Sequence, residues 1–164
     1  MSTNEPIVIR PERPDHPQVA ALLVELDAYL GMLYPPEANH ILDAEALCDP
    51  AVDFLAAWSG ADLLGCGATR CMPAEPASGG RAYGELKRMM VRPAARGRRI
   101  GALLLAELEA RLRRRGVGLA LLETGRDQTQ AVRLYERAGY GRRAPFAGYP
   151  DNGLSLFYAK ELAR

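Results

Sequence analysis

The sequence predicts a mixed α/β (α+β) fold in one domain spanning residues 1–164, and three observations carry that prediction. Glu85–Val91 reads as a strand, Ile100, Leu104, Leu108 and Leu112 mark a helix directly behind it, and Val117–Leu122 is a short, almost wholly apolar run suited to a strand buried on both faces. A helix between two such strands is a parallel βαβ unit. Phe54–Trp58 and Leu63–Thr69 are joined by Ser59-Gly60-Ala61-Asp62, a hairpin signal that adds antiparallel pairing. Finally, 164 residues with 48% hydrophobic and 25% charged content suffice for one ordinary core.

Taken in order, Pro6–Arg10 reads as a first strand, and Pro11, Pro14 and Pro17 punctuate the loop after it. Val19, Leu22, Leu23, Leu26, Leu30 and Leu33 then fall at helical spacing, with Asp15 as the expected N-cap. Pro35 and Pro36 break that helix, and the polar cluster Tyr34–His40 follows. Ile41–Leu47 reads as a second short helix. Gly65 and Gly67 inside the second hairpin strand point to a bulge or a close backbone approach. Pro73–Gly80 is a turn-rich loop. Pro93 closes the central strand, and Arg113-Arg114-Arg115 with Gly116 closes the central helix. Thr129–Ala138 is the next helix, stopped by Gly139, and Leu154–Ala159 is a final strand.

The composition bounds function. No run is long enough to cross a bilayer, and MSTNEPIVIR lacks the basic-then-apolar order of a signal peptide, so a cytoplasmic protein with no membrane partner is expected. Cys48, Cys66 and Cys71 are odd in number and lack zinc-type spacing, and His16 and His40 lie far apart, so no disulfide or metal is expected. The net charge of +1 hides a split: residues 1–80 carry 3 Lys/Arg against 12 Asp/Glu, and residues 81–164 carry 18 against 8. A basic half suits a phosphate-bearing ligand, and an acidic half suits a cationic one. Simple solvation of both halves is the alternative. The 11 Lys/Arg between Arg81 and Arg115 make a phosphate footprint, but aromatics to stack on bases are sparse, so nucleic acid is not the expected partner.

The stretch Arg96-Gly97-Arg98-Arg99-Ile100-Gly101 joins the central strand to the central helix. A helix N-terminus leaves backbone N–H groups unpaired and favours an anion, and glycines allow close approach. A plain connector with a solvated basic face is equally compatible with the pattern. A P-loop is excluded, since no Gly-Lys-Ser/Thr follows, and the Gly-x-Gly-x-x-Gly spacing of a dinucleotide fold is missing.

This turn resembles the pyrophosphate loop of the Gcn5-related N-acetyltransferase (GNAT) superfamily, Gln/Arg-x-x-Gly-x-Gly/Ala, with Arg99 where the first glycine usually stands. Ala131-x-x-Leu134-Tyr135 through Gly139-Tyr140 resembles the family's second motif, with Gln128 at its Asn position. Pro35-Pro36-Glu37 with His40, and Phe146-x-x-Tyr149, resemble a bacterial branch labelled indole-acetic-acid acetyltransferase-like. The resemblance covers nearly the whole chain and is strongest from Glu85 to Tyr140. It implies a GNAT-like mixed, mostly antiparallel central sheet with a splayed parallel pair and helices on both faces. It implies acetyl-CoA as co-substrate, direct transfer to the amine of a small-molecule acceptor, and no metal.

The same resemblance distributes roles. Met89, Met90 and Val91 would offer backbone N–H groups to pantetheine, one of them freed by a bulge to polarise the thioester. Arg96, Gly97, Arg98, Arg99, Gly101 and Ala102 would hold the pyrophosphate, and Gln128 would lie beside the cofactor arm. Glu85 would take the ammonium proton, which requires partial burial to raise its pKa toward neutral; the alternative is a carboxylate that merely pairs with Lys87 or a cation of another strand. Tyr135 would protonate the leaving thiolate, or else be an amphipathic core residue. Tyr34, Glu37, Asn39, His40 and Tyr149 would contact the acceptor, or else cap helices in their own loop. A non-catalytic acyl-CoA-binding regulatory module, a protein or peptide N-acetyltransferase, and a homodimer all stay open.

Overall fold

The computed structural model describes residues 5–163; residues 1–4, where the stretch read for a leader begins, lie outside them. The two hairpin strands dominate the middle of the chain: β2 (Val52–Ser59) and β3 (Asp62–Met72) pair antiparallel, with Ser59 opposite Asp62 across a two-residue turn. β1 (Ile7–Pro11) pairs with β2, and β4 (Tyr83–Val91) with β3, both antiparallel. α2 (Ile100–Arg114) then crosses over to β5 (Leu119–Gly125), which runs parallel to β4. Two more strands, β6 (Gly141–Arg143) and β7 (Ser155–Glu161), complete a seven-stranded sheet in the order β1-β2-β3-β4-β5-β7-β6. The expected mixed, mostly antiparallel sheet with one parallel pair is borne out.

Helices cover both faces, as expected. α1 (Pro17–Leu33) sets Val19, Leu22 and Leu23 against Phe54, Ala56 and Trp58 on one face. On the other, α2 brings Ile100, Leu104, Leu105, Leu108 and Leu112 onto Leu55, Ala57 and Leu86, and α3 (Thr129–Arg137) adds Tyr135. β2 therefore sends alternate residues into two different cores, which is why its run is apolar at both parities.

Three local expectations are corrected. Ile41–Leu47 is not a helix: only short 3₁₀ turns form, at Pro36–Ala38 and Ala46–Cys48, and the Asp43 side chain takes the Ala46 N–H at 2.8 Å, an Asx-type bond that competes with helix. Asp15 does not cap α1. It accepts from Arg13 at 2.8 Å on each carboxylate oxygen, and His16 caps instead, its Nδ1 accepting from Gln18 N. β5 also runs two residues later than expected at its start and three later at its end, so that Glu123 falls inside the strand rather than beyond it.

Candidate active site

β4 and β5 stay paired only at Gly84 opposite Ala120 and Glu85 opposite Leu121, and beyond that point they diverge. The divergence begins just before a bulge. Between the pairs Cys66–Met90 and Ala68–Lys87, one residue of β3, Gly67, faces two of β4, Arg88 and Met89. Arg88 takes a left-handed φ of 58° there. A bulge turns the strand and frees backbone groups from the ladder. A cavity opens in the gap, walled by Leu26 and Leu30 of α1 and Tyr34 just after it, by Leu86–Met89 of β4 and by Glu123–Gly125 of β5.

At the far end of β4 lies the arginine-rich turn. Gly97 has φ 83°, and Arg99, the residue before α2, has φ 61° and ψ 24°. Arg99 thus adopts the left-handed conformation that a glycine would supply freely. No side chain caps α2, so its first N–H groups face outward with the helix dipole behind them. Arg96, Arg98 and Arg99 are exposed and form no salt bridge among the described residues. Gly101 brings α2 close to α3: a Cβ there would sit 3.1 Å from Leu134 Cδ2. Gln128 and Tyr135, at the start and middle of α3, border the same cavity from its opposite side.

The two carboxylates of the region differ sharply. Glu85 is fully buried and does not line the cavity; it accepts from Tyr149 Oη at 2.6 Å and Arg70 Nη2 at 3.2 Å, with Lys87 Nζ also 3.2 Å away. This is the ion-paired alternative weighed for Glu85. Glu123 does line the cavity, and its Oε2 is buried without a hydrogen-bond partner. Burial pushes the Glu123 carboxyl up to about 7, with Lys87 opposing and Glu85 adding a smaller push. His40 Nε2, likewise buried without a hydrogen bond, lies 3.6 Å from that oxygen. Burial and then Lys87 hold the imidazole below its ordinary value, with Glu85 opposing. Tyr135 is nearly buried, no side-chain hydrogen bond engages its hydroxyl, and burial holds the phenol well above its ordinary value, hence protonated.

Of the residues expected at the acceptor, Tyr34, Asn39 and His40 line the cavity. Tyr34 Oη takes the Asp127 N–H at 3.1 Å, and Asn39 Nδ2 donates to Tyr34 O at 3.4 Å. Glu37 does not join them; it is exposed on the 3₁₀ turn. Tyr149 stands one layer back. It donates to Glu85, receives Lys87 Nζ at 2.6 Å and packs on His40 with ring centroids 4.8 Å apart. Met89 borders the cavity, whereas Met90 and Val91 run on beyond the bulge toward the turn. Glu123 and Arg88 were missed in the sequence. Glu123 had a signal, a lone acid closing the apolar run Leu119–Leu122. Arg88 had none, because a bulge leaves no mark on the alternation.

A parallel pair prised open over a cavity leads to an uncapped helix N-terminus flanked by arginines that form no salt bridge among the described residues, an arrangement with the shape and charge to suit a long, phosphate-ended ligand. Residues 19–140 match the acetyltransferase (GNAT) family, and the chain belongs to that family: it is a GNAT N-acetyltransferase. It is 44% identical over 156 residues to the IAA acetyltransferase of Azospirillum brasilense, covering 95% of this chain and 98% of that one. It is 31% identical over 147 residues to the uncharacterised N-acetyltransferase YsnE of Bacillus subtilis, covering 88% and 93%. Among solved structures, one from Klebsiella pneumoniae provisionally described as an acyl-CoA N-acyltransferase superposes with a TM-score of 0.78 at 33% identity, over 98% of this chain and 100% of that one.

Proposed function

We propose that the protein transfers the acetyl group of acetyl-CoA directly to the amine of a small molecule held in the cavity, with Glu123 as general base and Tyr135 as general acid. The observation that carries this reading is Glu123 Oε2, buried at the cavity wall without a hydrogen-bond partner. A group titrating near 7 is matched to taking an ammonium proton at neutral pH. Glu85 is fully buried and engaged by three neighbours, so its role is to hold Lys87 and Tyr149 in place.

The residues of the chain fit acetyl-CoA along its length. The N–H groups at the start of α2, with Arg96, Gly97, Arg98, Arg99, Gly101 and Ala102, hold the pyrophosphate. The strand edge from Met89 to Val91 and the side chain of Gln128 align the pantetheine arm. Acetyl-CoA supplies the thioester. Glu123, backed by His40, accepts the proton that the attacking nitrogen loses. The new bond is carbonyl carbon to nitrogen, the broken one is carbon to sulfur, and Tyr135 returns a proton to the sulfur. Cys66 is no rival nucleophile, since burial pushes its thiol up to about 12.

The IAA named for the Azospirillum relative is an acid whose ring nitrogen keeps its electron pair in the aromatic system. A base titrating near 7 cannot strip that N–H, so basic amines are the better-matched acceptors. The deciding experiment is thiol release from acetyl-CoA across basic amines, peptides and indole-acetic acid, with Glu123→Gln, Glu85→Gln and Tyr135→Phe beside the native enzyme. The expected result is amine-dependent release lost in Glu123→Gln. Full activity in that variant alongside loss in Glu85→Gln returns the base to Glu85. Tight acetyl-CoA binding with no release from any acceptor favours a regulatory module.

A further inference from the structure

The cavity contains two cations in very different states. Lys87 Nζ has three donors and three partners: His40 O at 3.2 Å, Tyr149 Oη at 2.6 Å and Glu85 Oε2 at 3.2 Å. It has nothing left to offer a ligand. Arg88 is the reverse. Its side chain is 4% exposed and lines the cavity, yet of its five N–H donors only those on Nη1 have a side-chain partner among the described residues, Asp27 of α1. Its Nε is buried with no partner at all. A buried donor left unpaired costs stability, and more so on a charged group. Holding a non-glycine residue at φ 58° adds to that cost. The bulge therefore places an unsaturated guanidinium in the acceptor cavity at a net cost to the fold, and such a cost persists where a ligand meets it.

The remaining walls narrow the ligand. Glu123 and His40 line the cavity with Oε2 and Nε2 buried, 3.6 Å apart and without a hydrogen bond, and Leu26, Leu30, Ile41 and Leu86 supply an apolar surface between α1 and β4. A guanidinium with free N–H groups asks for a carboxylate, Glu123 asks for an amine, and the leucines ask for an apolar body. We propose that the acceptor is an amino acid with an apolar side chain, its carboxylate taken by Arg88 and its amine presented to Glu123. This rests on the reading of the cavity as an N-acetyltransferase site.

The test compares matched acceptors on the native enzyme: leucine, methionine and phenylalanine against their decarboxylated amines and their carboxamides, followed by thiol release from acetyl-CoA. A site built around a polar group rejects the analogue lacking it, so kcat/KM for the amino acids should exceed that for the amines by about 10²-fold or more. In Arg88→Met that ratio should collapse to within about tenfold of unity, mainly through KM for the amino acid, and Arg88→Lys should recover part of it. Amines and carboxamides served as well as the amino acids would overturn the inference while leaving the acetyltransferase reading intact. A uniform loss of kcat for every acceptor in Arg88→Met would assign Arg88 to the thioester and also overturn it. No release from any amine would remove the acetyltransferase reading itself, and this one with it. The comparison of acceptors needs no variant, so it decides the matter even if Arg88→Met does not fold.

Discussion

Glu123 carries two consequences that point in opposite directions. As a base titrating near 7, it should give kcat/KM a rising limb centred close to that pH. Glu123→Gln should abolish the limb and lower kcat by about 10²-fold or more, measured by initial rates between pH 5 and 9. For stability, the folded state binds the Glu123 proton more tightly than the unfolded chain, whose carboxyl titrates near 4.5. Between roughly pH 4.5 and 7 the unfolded state therefore holds fewer protons, and the contribution of this group falls as pH rises. Above pH 7 the native protein carries a buried charge costing on the order of 3 kcal/mol. Glu123→Gln should accordingly unfold later than the native protein at pH 8, by a few degrees, and show no such gain at pH 4.5; a calorimetric scan at the two pH values checks it. Arg99 poses the same opposition between fold and function. Its left-handed backbone favours Arg99→Gly by up to about 1 kcal/mol. The lost guanidinium should raise KM for acetyl-CoA several-fold if the side chain meets the phosphates. A stabilised variant with unchanged KM would leave Arg99 a tolerated substitute for glycine and nothing more.

At the scale of the element, the bulge of β4 decides the geometry of the site, and the facing glycines of β3 decide the bulge. A Cβ on Gly65 would lie 2.5 Å from Met90 O and 3.3 Å from Val91 Cα, which are backbone atoms that cannot step aside. A Cβ on Gly67 would lie 2.3 Å from Met89 Sδ, the far end of a flexible side chain, and 3.1 Å from Leu108 Cδ1. Gly65→Ala should therefore cost about 1–3 kcal/mol in urea unfolding and disturb the strand edge proposed to carry pantetheine, while Gly67→Ala should cost less. Equal costs would mean that β3 and β4 shift as a pair. These glycines also show how far the sequence reaches. It told of a bulge or a close approach in β3, and of an open parallel pair by resemblance. It did not say that Arg88 would be the residue turned out, because the parity of an alternating strand is silent about an inserted residue. Glu123 was hidden for a related reason: ending the strand at Leu122 left the acid in a loop, where an exposed carboxylate carries no meaning. Ile41–Leu47 failed differently, since Asp43 offered the backbone a local bond that ended the helix before it began.

Across the whole molecule, the acidic first half and basic second half partner each other in part, through three acids of the first half. Glu25 pairs with Arg92 at 2.7 Å, Asp27 with Arg88, and Asp53 with Arg115 at 2.8 Å and Arg111 at 3.9 Å. The charge split visible in the sequence thus reports an interface between α1 and β2 on one side and β4 and the end of α2 on the other. What it leaves over is the informative part. Arg96, Arg98 and Arg99 form no ion pair among the described residues and stand together beside the start of α2. A cluster of unneutralised charge attracts a polyanion over distances set by salt. Between about 0.1 M and 1 M sodium chloride the Debye length falls from about 10 Å to about 3 Å. KM for acetyl-CoA should rise several-fold across that range, and KM for an uncharged-body amine acceptor should move far less. The cross-half ion pairs other than Arg88–Asp27 are partly exposed and worth about 0–1 kcal/mol each, so the thermal midpoint should shift only slightly over the same series. In Arg96→Gln with Arg98→Gln the dependence of KM on salt should flatten, and the fold should be unaffected because neither side chain has a partner among the described residues to lose. A native KM for acetyl-CoA that ignores salt would mean that the three arginines face only water, and that the pyrophosphate is held by the backbone of α2 alone.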